Sequence, residues 1–153
     1  QYVRHAAQPL YTPEPDIIHE VIGHGHLLAT PTFSELHRLT GEATHRLRDE
    51  ENLRFLSRVF WFTVEFGLVH EKGATRIYGS GLISSAGDAA NALGPSCDRR
   101  PFSVEAVLSQ HFEIDKLQEV LFVVDSFDQL FEAIDVVIEM MENGAPAPGH
   151  SRR

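Results

Sequence analysis

The sequence predicts a mainly α fold with small β elements, and three observations carry that prediction. Apolar residues recur at three- and four-residue steps, as in Leu53, Leu56, Phe60 and Val64, which is the period of one helix face. Residues able to cap a helix stand ahead of the periodic runs, at Asp16, Thr32, Ser84, Ser103 and Ser126. Extended chain is signalled in only two places, around the turn Glu71-Lys72-Gly73 and along the β-branched and aromatic run Glu119-Val120-Leu121-Phe122-Val123-Val124.

Taken in order, Thr12-Pro13-Glu14-Pro15-Asp16 is a stiff entry segment, because each proline fixes its own φ and pushes its predecessor out of the helical region. Asp16 then caps a short helix through Ile17, Ile18, His19, Val21 and Ile22. Thr32-Phe33-Ser34-Glu35 has capping-box spacing and opens a second helix, with Phe33, Leu36 and Leu39 on one side and a close near Gly41. A longer helix is expected from about Asp49 to Gly67. Two short extended pieces flank Glu71-Lys72-Gly73, the second being Thr75-Arg76-Ile77-Tyr78. The glycines of Tyr78-Gly79-Ser80-Gly81 imply tight backbone, but the frame of a phosphate-binding loop is missing. Ser84-Ser85 caps a helix through Ala89, Ala90 and Leu93, Ser103 caps another over Val104 to Leu108, and Ser126-Phe127-Asp128-Gln129 opens one reaching about Glu142. Residues 143–153, beginning Asn143-Gly144 and ending Ser151-Arg152-Arg153, have nothing to bury and read as a disordered tail.

Composition excludes several classes of function. A chain of 153 residues with 42% hydrophobic content forms one domain with a single core. A formal charge of -9 and no basic stripe argue against a nucleic-acid partner. No apolar run is long enough to span a bilayer, and Gln1-Tyr2-Val3-Arg4-His5 lacks a signal peptide's apolar segment. The single cysteine, Cys97, allows no internal disulfide and reads as a stray surface or half-buried thiol. The expectation is a cytoplasmic protein with no membrane partner.

The chemistry concentrates in His19-Glu20-Val21-Ile22-Gly23-His24 and in Glu65, within Trp61-Phe62-Thr63-Val64-Glu65-Phe66-Gly67-Leu68. Two imidazoles and one carboxylate are the ligand set of a mononuclear iron(II) site with open positions. A zinc-protease helix places its histidines four apart on one face. These are five apart, about 140° around a regular helix, so the helix must stop or distort between them. Gly23 is the expected exit, because glycine bears no penalty for positive φ. His26 is a spare imidazole for which a surface role is expected.

Together with Tyr2-Val3-Arg4-His5, Pro9-Leu10-Tyr11-Thr12-Pro13-Glu14-Pro15-Asp16, Tyr78-Gly79-Ser80-Gly81-Leu82-Ile83-Ser84-Ser85 and Val123-Val124-Asp125-Ser126-Phe127, these segments resemble the catalytic domain of the aromatic amino acid hydroxylases. Those enzymes are tetrahydropterin-dependent, non-haem iron monooxygenases of phenylalanine, tyrosine or tryptophan. The resemblance runs from Gln1 to about Val137 and implies that 1–142 is a partial catalytic, iron-binding domain. It implies Fe(2+) held by His19, His24 and Glu65, with O2, a reduced pterin (tetrahydrobiopterin) and an aromatic amino acid as partners. Arg4 matches the anchor of the substrate carboxylate, for which a planar guanidinium fork is suited and lysine is not. Thr12, Gly81 and Ser84 match positions that contact the amino acid's backbone groups, and Trp61 and His19 match the walls around its ring. Glu20 matches a carboxylate near iron and pterin with a catalytic role, while Asp16 and Glu14 match acidic residues bracing His19 and Arg4.

Two positions bear on the ring. Trp61 is tryptophan as in phenylalanine and tyrosine hydroxylases, and Ile114 is apolar where tyrosine hydroxylases carry an acidic residue, so phenylalanine is the expected substrate. Phe60, at a catalytic and pterin-contacting position, replaces the tyrosine usual before Trp61. The family's aromatic pterin platform precedes the position of Gln1, and no tetramerisation helix is seen, so the oligomeric state is left open. Three classes of function follow: a pterin-dependent hydroxylase, favoured, for phenylalanine or else tyrosine or tryptophan; a non-catalytic iron- or amino-acid-binding relative; and a zinc hydrolase with Glu20 as base, which the five-residue spacing supports poorly.

Overall fold

The computed structural model describes residues 3–7, 14–47, 49–114 and 116–143; Thr12 and the expected tail from 144 onward lie outside the described residues. Asp16 caps the first helix as expected, its Oδ1 accepting from the His19 amide at 3.0 Å. The helix does not break at Gly23. It widens into a π-helix over His19–Gly25 and passes into α1 (His26–Leu28). Gly23 has no positive φ. Its smallness is needed instead, because a Cβ there would meet the Ser80 carbonyl oxygen at 2.8 Å.

The next helix, α2 (Pro31–Arg46), starts earlier and ends later than expected. Thr30, not Thr32, is its N-cap, Pro31 sits in the first turn where its missing N–H costs nothing, and no side chain forms the expected capping box. Gly41 does not stop it, since nothing there demands a left-handed exit and one helical glycine costs only about 1 kcal/mol. Asp49 caps α3 (Glu50–Phe60) by accepting from the Asn52 amide. The helix then widens into a second π-helix, Trp61–Glu65, closed by the Phe66 amide donating to the Trp61 carbonyl at 2.8 Å. The buried stripe of this region is Phe55, Leu56, Val59 and Phe62, while Leu53 stays exposed.

The expected hairpin is present as β1 (Leu68–Glu71) and β2 (Ala74–Ile77), paired antiparallel. Its two-residue turn has positive φ at Lys72 and Gly73, the combination that matches strand twist. There follow α4 (Ser80–Ile83), α5 (Ala86–Leu93) capped by Ser85, a strand β3 (Asp98–Pro101), α6 (Val104–Ser109) capped by Ser103, β4 (Val120–Val124) and α7 (Asp128–Glu142). Ser126 does not cap α7; Phe127 occupies the N-cap, and the Gln129 side chain accepts from the Asp125 amide. Strand β3 was not expected, because Asp98, Arg99, Arg100 and Pro101 are all exposed at a sheet edge and show no burial pattern.

The sheet order is β2-β1-β4-β3, with β4 parallel to both neighbours. Both faces of β4 are covered. Phe122 and Val124 enter the larger core, with residues of α2, α3, α6 and α7, while Leu121 and Val123 join the smaller one with Phe66, Leu68, Leu82 and Cys97. Hence the strand reads as a continuous apolar run. Cys97 is buried, 6% exposed, and burial raises its thiol pKa. Among the described residues no helix is long and apolar enough to cross a membrane.

Among the described residues the buried Tyr78 hydroxyl, in the larger core, has no hydrogen-bond partner, and burial pushes its pKa well up. The ring packs against Phe33 and Phe127 at 5.5 and 5.2 Å. Tyr78→Phe keeps those ring contacts and removes a desolvated hydroxyl, so a gain of about 1 kcal/mol is expected, a rise in Tm of about 2–4 °C by thermal denaturation.

Candidate metal centre

The two π-helices and α4 build the site. A π turn closes its hydrogen bonds between residues i and i+5, so it brings His19 and His24 onto one side where an α-helix would separate them. Their Nε2 atoms lie 3.1 Å apart. The second π-helix delivers Glu65 to the same point, with Oε1 3.0 Å from His24 Nε2 and Oε2 3.6 Å from His19 Nε2. Among the described residues this is the one group of three such side chains able to share an ion, all its ligand atoms lying within 4.8 Å of one another.

Each of His19 and Glu65 is held from behind. Ser84 Oγ donates to the Ser80 carbonyl at 2.7 Å, so at 3.0 Å from His19 Nδ1 it accepts that ring's proton. His19 therefore carries hydrogen on Nδ1 and presents the Nε2 lone pair inward, the arrangement a metal ligand needs. Ser80, fully buried, donates to Glu65 Oε2 at 2.9 Å. Sequence reasoning missed Ser80; its only local signal was a hydroxyl between two glycines. Ser84, expected as a substrate contact, also braces His19.

The charges agree with this geometry. Burial works to raise the Glu65 pKa, but hydrogen bonding to His24, the electrostatic influence of the two neighbouring imidazoles and the Ser80 hydrogen bond outweigh it and hold the carboxyl below its ordinary value. The hydrogen bond to Glu65 raises His24 against the opposing effect of burial, with smaller electrostatic help from Glu65 and Glu20. Glu20 itself is exposed. Three clustered ligand atoms with the charge of one carboxylate make a seat for a cation.

Arg4 forms a bidentate pair with Asp16, Nε to Oδ2 and Nη2 to Oδ1, both at 2.9 Å, and its backbone amide adds a third bond at 2.7 Å. Their side chains are 8% and 1% exposed. The hydrogen bonds from Arg4 hold the Asp16 carboxyl well below the usual carboxylate range. Since Asp16 also caps the His19 amide, one carboxylate ties Arg4 to the first histidine. Asp16 thus braces both residues. A guanidinium has five N–H donors, and this clamp uses two of them.

The aromatic candidates divide. Phe60 lies stacked near the His24 ring, centroids 6.5 Å apart, and meets His37 edge-on at 5.6 Å. It also lines a groove of about 420 Å³ between α2 and α3, with Ser57, Leu56 and His37. Trp61 is sandwiched between Phe66 and Phe112, at 4.6 and 4.5 Å. Gly81 is buried beside Glu65, where a Cβ would lie 3.1 Å from the Glu65 carbonyl oxygen. Ile114 and His26 are exposed.

A family profile described as biopterin-dependent aromatic amino acid hydroxylase matches residues 1–144. The chain is 39% identical over 134 residues to a phenylalanine 3-hydroxylase of Streptomyces coeruleorubidus, covering 88% of this chain and 47% of that protein. It is 43% identical over 128 residues to a tyrosine 3-monooxygenase of Drosophila melanogaster, covering 84% of this chain and 22% of the relative. The fold matches the crystal structure of Chromobacterium violaceum phenylalanine hydroxylase with bound iron(III) and 7,8-dihydrobiopterin, with a TM-score of 0.82 and 32% identity over 99% of this chain and 57% of that one. The chain thus spans about half or less of these relatives' lengths. Profile, sequence identity and fold agree that this chain belongs to the biopterin-dependent aromatic amino acid hydroxylases.

Proposed function

We propose that this chain is the iron- and amino-acid-binding part of a monooxygenase that hydroxylates the ring of phenylalanine, using O2 and a tetrahydropterin. The observation that carries the reading is the convergence of His19 Nε2, His24 Nε2 and Glu65 on one point. Two imidazoles and one carboxylate gathered at one point are the donor set of a facial iron(II) site that keeps open positions. His19, His24 and Glu65 would hold the ion, and iron with a reduced pterin supplies a redox centre at which O2 is activated.

The side chains mainly hold and orient. Among the described residues Asp16 takes two of the five Arg4 side-chain N–H donors, and this pairing fixes the fork that would meet a substrate carboxylate before substrate arrives, which removes an ordering penalty from binding. Ser84 keeps the His19 lone pair on the metal side. Ser80 donates to Glu65 Oε2 and adds to the stronger effect of His24 in holding the carboxyl deprotonated. Phe60, whose ring lies stacked near the His24 imidazole, and Glu20 are the proposed pterin contacts, and Thr12, Gly81 and Ser84 the proposed substrate contacts beside Arg4. Trp61 and the apolar Ile114 favour phenylalanine over tyrosine.

The test is to supply the iron-loaded protein with O2, a reduced tetrahydropterin and, separately, phenylalanine, tyrosine or tryptophan, and to identify products by mass and ring position. Hydroxylated phenylalanine as the main product is expected. Bound iron with no product from any amino acid would leave a non-catalytic relative, and product chiefly from tyrosine would overturn the assignment of substrate.

A further inference from the structure

Gln118 has no part in the metal centre, yet the residue is 7% exposed and both polar atoms of its carboxamide are engaged. Oε1 accepts from the Trp61 indole N–H at 3.2 Å, and the amide nitrogen donates to the carbonyls of Glu113 and Lys116, each at 2.8 Å. The orientation is forced, since an indole N–H only donates and carbonyls only accept. The Gln118 carbonyl is held in turn by Asn91 of α5 at 2.8 Å. Phe112 lies flat on Trp61, with ring centroids 4.5 Å apart and planes 17° apart.

The clamp joins two regions that matter to the proposed function, on which this inference rests. Trp61 opens the π-helix that ends at Glu65. The two clamped carbonyls belong to Glu113 and Lys116, on either side of Ile114, which is 67% exposed. We infer that Gln118 is a positioning residue that locks the Ile114 stretch onto Trp61 and thereby sets which aromatic ring the site prefers.

Trp61 is the only tryptophan, so its fluorescence reports on the clamp without any need for turnover. Gln118→Glu keeps the acceptor toward Trp61 but sets a carboxylate against two carbonyls; Gln118→Asn keeps the carboxamide but shortens its reach, and serves if the first variant folds poorly. The expected result is increased quenching of Trp61 by acrylamide and faster amide exchange around Ile114. With it should come a change of about tenfold in the ratio of kcat/KM for phenylalanine to that for tyrosine, carried mainly by KM. Iron retention should be unchanged. Unaltered Trp61 quenching in both variants would overturn the inference, and so would a released clamp with an unaltered substrate ratio. If the parent protein hydroxylates neither amino acid, the hydroxylase reading fails instead, and the ratio of the two equilibrium dissociation constants, from dialysis against the iron-loaded protein, replaces the rate ratio.

Discussion

Glu65→Ala is expected to strip iron from the protein, lowering its affinity by more than about 100-fold, since even the outer partners of metal ligands are worth 10–100-fold. Two neutral imidazoles would remain on one side of the ion with no negative charge beside them. The loss reaches further than one ligand, because Ser80 Oγ, fully buried, donates to Glu65 Oε2, and His24 is held by Oε1. Dialysis against a chelator followed by metal analysis is the direct measurement. Glu65→Gln separates the two effects: it keeps an oxygen for Ser80 and a similar shape, so the fold should survive while iron is still lost. Iron that stays tightly bound in Glu65→Ala would show that the three-residue assignment is wrong.

Asp16→Asn is expected to have the second large effect. The substitution turns one acceptor into an NH2 group facing Arg4, whose side chain is 8% exposed, and leaves a nearly buried cation without its counter-charge. Breaking such a pair from one side costs about 3–5 kcal/mol. Substrate binding should weaken together with stability, because the same carboxylate aims the guanidinium. The pH dependence follows from the direction of the shift. Asp16 holds its proton less readily in the folded protein than in the unfolded chain, so its contribution is complete above about pH 4 and is lost as the pH falls below that, where the unfolded chain takes up the proton first. Urea denaturation between pH 2 and 6 should show a falling acid limb in the parent protein and a shallower one in Asp16→Asn. Equal acid limbs would mean that the pair contributes little.

Much of the site was legible in the sequence because its information is local. The donor types, the spacing that excludes a regular helix, the cap at Asp16 and the turn at Lys72-Gly73 all follow from residues within a few positions of one another. The fold class followed from the same short-range periodicity. The errors have one origin as well. Gly23 was read for its backbone freedom, whereas its reason is Ser80 packed against it from another helix. Thr32 and Ser126 have capping-box spacing, yet the N-caps are Thr30, ahead of Pro31 in the first turn, and Phe127. Strand β3 has no pattern of its own, since only its pairing with β4 makes it a strand.

By itself, the sequence determined that this protein carries two histidines and a carboxylate outside any zinc-helix spacing, an arginine and a carboxylate near them, and a mainly helical chain to hold them. Only the tertiary structure decided how they are used. It chose π-helical widening over a break, Nδ1 as the protonated nitrogen of His19, Ser80 as the support of Glu65, and Gln118 as the link from Trp61 to the Ile114 stretch. The last three of those choices rest on hydrogen bonds spanning 65, 15 and 57 positions in sequence. Side-chain periodicity reports which face of an element is buried, but not which distant atom meets it there.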